Sequence, residues 1–182
     1  MTKEYLDVLD ENGNFTGKTK LRSEVHRDGD WHREVFIIAI DDHKKLLMQL
    51  RSPNKLSHPD QWDVAAAGHA TAGDNSLQAA IREIKEELGL DITEDELEFI
   101  YSFKKNSVRK DRQIHNKAIV DVYLLHKNIE IDQVKIQVEE VAAVIYMDLS
   151  ELESVLENNN PKYINRIFYP HVFKVLHERL GS

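Results

Sequence analysis

The chain contains no cysteine, which excludes disulfides, thiolate metal sites and a cysteine nucleophile. Only seven glycines and four prolines are present, and no repeat or low-complexity tract or clean linker is visible, so one domain is expected. No apolar run approaches the ~18 residues of a membrane span. The start, MTKEYLDVLD, lacks the basic-then-apolar pattern of a secretory leader, and with the missing cysteines this points to a cytoplasmic protein. Positive charge is also short: Lys and Arg number 24 against 32 Asp and Glu, a net charge of −8. That balance argues against binding a nucleic-acid polymer, which needs a basic surface. It does not argue against a small phosphorylated substrate. What is present, 182 residues with 41% hydrophobic and 31% charged side chains, suits a globular domain with a proper core.

The segment EYLDVLDENGNFTGKT reads as a hairpin turning at Asn12-Gly13. Glu34 to Ile40 and Lys45 to Leu50 read as strands, the first apolar enough to be buried on both faces. RSPNKLSHPDQ is a loop by its prolines and polar residues, and Trp62 to Ala67 reads as a further strand. Residues 97–103 and 115–126 read as strands separated by a basic loop, followed by the strand VAAVIYMDL. Ser150 is placed to cap a short helix, ELESVLEN. A last helix is expected from about Tyr163 to Leu180, with Pro170 at its start or at a kink. Strands on both sides of a central helix, with another helix at the end, indicate an α/β fold with a mixed sheet between helices.

The central helix is the informative segment. In GHATAGDNSLQAAIREIKEELGL, residues 68–90, Leu77, Ala80, Ile81, Ile84 and Leu88 recur at helical spacing. Asn75 and Gln78 have capping-box spacing, and Gly89 suits a left-handed closure. Glu83, Glu86 and Glu87 then gather along one flank, where their mutual repulsion calls for a positive partner. A hard divalent cation such as Mg²⁺ or Mn²⁺ answers that need, because it prefers carboxylate oxygens and completes its shell with phosphates. An acidic face turned to solvent is the plain alternative.

The order Gly68, Asp74, Arg82-Glu83-Ile84, Glu86-Glu87, Gly89-Leu90 resembles the Nudix box, G-x5-E-x7-R-E-U-x-E-E-x-G-U with U bulky aliphatic. Eight of its nine specified positions match, and Asp74 replaces the remaining glutamate. The resemblance implies an α/β/α sandwich spanning residues 1–182 as a single Nudix hydrolase domain, with 1–33 as an N-terminal hairpin extension and 161–182 as a C-terminal helix. It also implies that Glu83, Glu86 and Glu87 hold Mg²⁺ or Mn²⁺, that Arg82 orients the carboxylates, and that water cleaves a diphosphate linkage. Gly68 and Gly73 then bracket a loop whose backbone approaches metal or phosphate. The implied partner is a small-molecule diphosphate, such as a nucleoside diphosphate derivative; a homodimer is left open.

Residues 4–125 also resemble isopentenyl-diphosphate isomerase, a relative of the same fold, through LRSEVHRDGDWHREVF, through Arg51, Lys55 and Pro59 leading to Trp62, and through Gly68-His69. That resemblance places Arg51 and Lys55 near a substrate diphosphate and puts His69 beside the ligand. It sets His26, His32 and His69 at the isomerase's metal positions, although a lone histidine more commonly has a structural role. The isomerase's catalytic cysteine falls at Ala67, and its Glu-Asn-Glu falls at His115-Asn116-Lys117. Carbon protonation needs a positioned acid and base, and alanine is neither, so hydrolysis is the expected reaction. The rivals are an isomerase-like enzyme and a non-catalytic diphosphate-binding module. Glu139 and Glu140 are candidates for a general base. The cluster Lys104, Lys105, Arg109, Lys110 and Arg112 either attracts anions or is simply solvated.

Overall fold

The computed structural model describes residues 3–109 and 114–181. Its spine is β3 (Trp31–Ile40). This strand pairs in parallel along its whole length with β8 (Ile114–His126) and antiparallel with β6 (Ala66–His69) at residues 34–37. Near its end β3 also meets β4 (Lys45–Arg51), which carries β9 (Val141–Asp148) and the two-residue β5 (Trp62–Asp63). β7 (Leu97–Arg109) lies antiparallel on β8. The hairpin of β1 (Tyr5–Leu9) and β2 (Phe15–Leu21) joins through Leu9 opposite Trp31. The sheet is mixed, as expected.

Both faces of β3 are covered, which explains its near-continuous apolar sequence. Phe36, Ile38 and Ile40 pack with Leu152 and Leu156 of α3 (Leu149–Glu157) and Val172 and Leu176 of α4 (Tyr169–Leu180). Val35, Ile37 and Ala39 pack on the other side against Ala80, Ile84 and Leu88 of α2 (Ser76–Leu88). The result is the α/β/α arrangement. Asn75 and Gln78 form the expected reciprocal cap of α2, and Gly89 closes it at φ 69°. No helix among the described residues is long and apolar enough to cross a membrane.

Five local readings need correction. The basic loop is largely strand: β7 continues to Arg109 and pairs with β8 as far as Ile114, because cross-strand pairing outweighs the polar character of Lys104-Lys105-Asn106-Ser107. Lys110 and Arg112 lie outside the described residues. The single strand expected at Trp62–Ala67 is two, β5 on β4 and β6 on β3, so the chain changes partners between them. Asp148, not Ser150, occupies the N-cap of α3. The last helix begins at Tyr169 and not near Tyr163; Pro170 marks its start rather than a kink, in the first turn where its missing N–H costs nothing. A seven-residue helix, α1 (Arg22–Asp28), follows β2 inside what reads as a hairpin extension.

Candidate active site

The acidic helix packs its box against β6 and β4. Glu83 and Glu87 are 8% and 4% exposed, whereas half of the Glu86 side chain is open to solvent. The three carboxylates are therefore not equivalent. Glu83 lies directly over Gly68, where any Cβ would overlap its carboxyl group. The glycine thus admits the carboxylate to the sheet surface. Glu87 Oε2 accepts from Gln49 Nε2 at 2.9 Å and from the Ala67 amide at 3.1 Å. Gln49 itself, a buried amide in an otherwise apolar strand, keeps its Oε1 without a partner.

Arg82 joins the pieces. Its Nη1 donates to Glu83 and Glu86, both at 2.9 Å, its Nη2 to the His69 carbonyl at 2.7 Å, and its Nε to Asp74 at 3.2 Å. Asp74 also accepts from the Thr71 hydroxyl at 2.6 Å, so the shorter acid still ties the loop to the helix. Burial pushes the Glu83 carboxyl up to about 7 against the pull of Arg82. Burial, reinforced by Glu83, pushes Glu87 up to about 8. Two buried acids with raised affinity for protons, beside an unpartnered carbonyl oxygen, form an oxygen-rich donor set that fits a hard dication.

These shifts have a consequence for the metal-free protein. An acid whose folded pKa lies above its unfolded value stabilises the fold below the unfolded pKa and loses that contribution as pH rises through the folded one. His26 shifts the opposite way, lowered to about 4, and its effect is confined below its usual 6.5. Between about pH 6.5 and 8 the glutamates dominate. The melting temperature of chelator-treated protein should fall across that interval, and millimolar Mn²⁺ should flatten or reverse the fall. A profile identical with and without metal would contradict the fit.

Among the other expected residues, Arg51 and Lys55 feel the charge of Glu87. Arg51 is buried, and its guanidinium donates to the Ser57 carbonyl at 3.1 Å and approaches Asp63 at 3.6 Å. Asp63 is in turn gripped by Arg166, so Arg51 is anchored to the scaffold. Lys55 forms an ion pair with Glu140, and burial, with Arg51 beside it, lowers its pKa. Glu83 and Glu87 are among the charges it feels. Glu139 is exposed, whereas Glu140 is half-buried and held by Lys55. Lys104 is exposed, Lys105 points to Glu34 at 2.7 Å and Arg109 reaches the Leu56 carbonyl at 3.5 Å, so the described part of the basic stretch is divided between solvent, an ion pair and a backbone contact.

The three histidines come together from different elements, His26 on α1, His32 on β3 and His69 on β6. Their ring centroids lie 5.0, 5.3 and 5.2 Å apart, and one ligand atom from each falls within 4.8 Å of the others. Burial lowers the pKa of both His26 and His69, so the rings are held neutral. All three Nε2 atoms are buried without a partner. His32 Nδ1 lies 3.3 Å from the Asp30 carbonyl; a proton there leaves Nε2 as a free lone pair. Orphaned neutral imidazole nitrogens suit a metal ion. Sequence reasoning overlooked Gln49, Glu34 and Asp63. Glu34 and Gln49 are buried polar residues in largely apolar strands, and that mismatch was the available signal; Asp63, in a two-residue strand, offered none.

The sandwich, the box on its helix and the buried carboxylates define a Nudix enzyme. The chain belongs to the Nudix family: the NUDIX domain model matches residues 30–169, and the chain is a Nudix hydrolase. It is 44% identical over 168 residues to Nudix hydrolase 3 of Arabidopsis thaliana, covering 90% of this chain but only 22% of that protein. It is 32% identical over 174 residues to an uncharacterized Nudix hydrolase of Listeria innocua, covering 94% and 95% of the two chains. A crystal structure from Deinococcus radiodurans superposes with a TM-score of 0.70 at 19% identity, covering 96% of this chain and 98% of that one.

Proposed function

We propose that this chain is a Mg²⁺- or Mn²⁺-dependent hydrolase that cleaves the diphosphate linkage of a nucleoside diphosphate derivative by water attack at phosphorus. The observation that carries the reading is the buried pair Glu83 and Glu87, with Gly68 leaving room for Glu83, and with Gln49 and the Ala67 amide holding Glu87. Glu83 and Glu87 would hold the ion, with Glu86 at the exposed rim. When bound, such an ion neutralises phosphate oxygens and acidifies a water. Arg82 fixes the carboxylates and, through its bond to the His69 carbonyl, fixes β6 against the helix. Lys55 is the cation for the substrate phosphates, because partial burial beside Arg51 disfavours its charge and a phosphate can take the place of its partner Glu140. Arg51 holds the root of the same loop. Glu140, freed when Lys55 turns to phosphate, is the group to accept the water proton. The proposed unit is one domain over residues 1–182, with residues 1–33 and 161–182 as its terminal additions.

A panel of nucleoside and isoprenoid diphosphates with Mg²⁺ or Mn²⁺, read for phosphate release and products, tests this. The isomerase reading gives a separate expectation. Ala67 backs onto Glu87 through its amide and offers no acid or base. Incubation with isopentenyl diphosphate should give no dimethylallyl isomer by proton NMR, and an isomerised alkene would overturn the assignment.

A further inference from the structure

The box supplies acids from one helix, and each buried acid is tied by one oxygen only. Glu83 accepts from Arg82 through Oε1, and Glu87 accepts from Gln49 and the Ala67 amide through Oε2. Among the described residues no hydrogen bond reaches Glu83 Oε2 or Glu87 Oε1. Gln49 comes from a different element. It follows Leu47 by two residues on β4, so both point to the α2 side. The residue is 1% exposed, and its Oε1 is buried without a partner. A carbonyl oxygen left so is costly and calls for a cause. The strands beside it offer no donor. Gln49 stands opposite Asp63 on β5 and Val144 on β9; valine has none, and Asp63 is an acceptor already held by Arg166. Turning the amide over only exchanges an orphaned acceptor for an orphaned donor. Both polar atoms branch from one carbon, so the unpartnered oxygen stands within an amide group's width of Glu87.

We propose that Gln49 is a further, neutral oxygen donor to the ion held by Glu83 and Glu87, and that its Nε2 fixes which oxygen of Glu87 that ion receives. The inference rests on the metal assignment of the hydrolase reading and extends it beyond the box. Hard dications take amide carbonyls as readily as carboxylates. A neutral donor adds nothing to the repulsion between two acids already crowded on one helix. The amide serves both ends of the arrangement. Its donor occupies Glu87 Oε2 at 2.9 Å, which presents Oε1, and its acceptor is satisfied by the ion and by no group of the protein. Arg51 follows two residues later on the same strand, so β4 joins the ion to the loop that carries Lys55.

The test uses the full-length chain, stripped with a chelator and titrated with Mn²⁺ alone, the free ion being read by electron paramagnetic resonance. The site of interest is the one that E83Q removes, which sets aside ions bound elsewhere. Q49M keeps the length of the side chain and loses both polar atoms; it should weaken that site by at least about 10-fold. Circular dichroism of the metal-free variants checks that they fold. Q49N, one methylene short, serves if Q49M does not fold, and the same loss of at least about 10-fold is expected. A merely structural Gln49 would lower the melting temperature and leave the Mn²⁺ affinity of the folded protein unchanged, and that result overturns the proposal. The two readings fail separately. Wild-type affinity in the Gln49 variant, with the site lost in E83Q, sinks this inference alone. Every Mn²⁺ site surviving in E83Q sinks the metal assignment of the hydrolase reading and this inference with it.

Discussion

Glu83→Gln and Glu87→Gln are each expected to lower kcat/KM by at least about 100-fold with the fold retained. Glutamine keeps the shape and removes the charge. Both side chains are buried, so neither loss can be made good by solvent. In the metal-free protein the same substitutions remove a burial penalty, so their melting temperatures should equal or exceed wild type above pH 7. Activity and stability therefore move in opposite directions, which a simple folding defect would not produce. Glu86, exposed and paired with Arg82, should be the mildest of the three. Steady-state kinetics with Mn²⁺, alongside thermal melts, check all three variants; wild-type rates in either buried variant would refute the assignment.

Gly68→Ala is expected to approach the loss caused by E83Q. The added methyl would overlap the Glu83 carboxyl group, so either the helix or the carboxylate must shift. Overpacking of this kind costs about 1–3 kcal/mol, and a displacement of about 1 Å at a reacting site can cost ~100-fold in rate. The contrast is Gly73→Ala. At Gly73 a Cβ would meet nothing within 4 Å, and the difficulty is only its φ of 90°. It should cost some stability and little activity. Near-normal turnover in G68A would show that Glu83 does not need its present position.

The site was legible where its determinants are local. The box, its cap and its left-handed closure lie within one continuous segment, and helical periodicity orders them without help from the rest of the chain. The unequal burial of the three glutamates was not legible, because it depends on Gly68 and Gln49 from other strands. α1 has seven residues, too few for a periodic signal. The extension of β7 follows from its partner β8 and not from its own composition. The anchoring of Arg51 depends on Asp63 and Arg166, which are 103 residues apart. Gln49 shares this character: a polar residue in a buried strand whose partner Glu87 appears only when α2 is in place.

Hydrolysis of nucleoside diphosphate derivatives in isotopically labelled water, with the phosphate products read by mass spectrometry, tests the central claim most directly. With Mg²⁺ or Mn²⁺ present, the account predicts a single labelled oxygen in one phosphate product per cleavage and no turnover after chelation. Label in the non-phosphate fragment, or turnover that survives chelation, would contradict it.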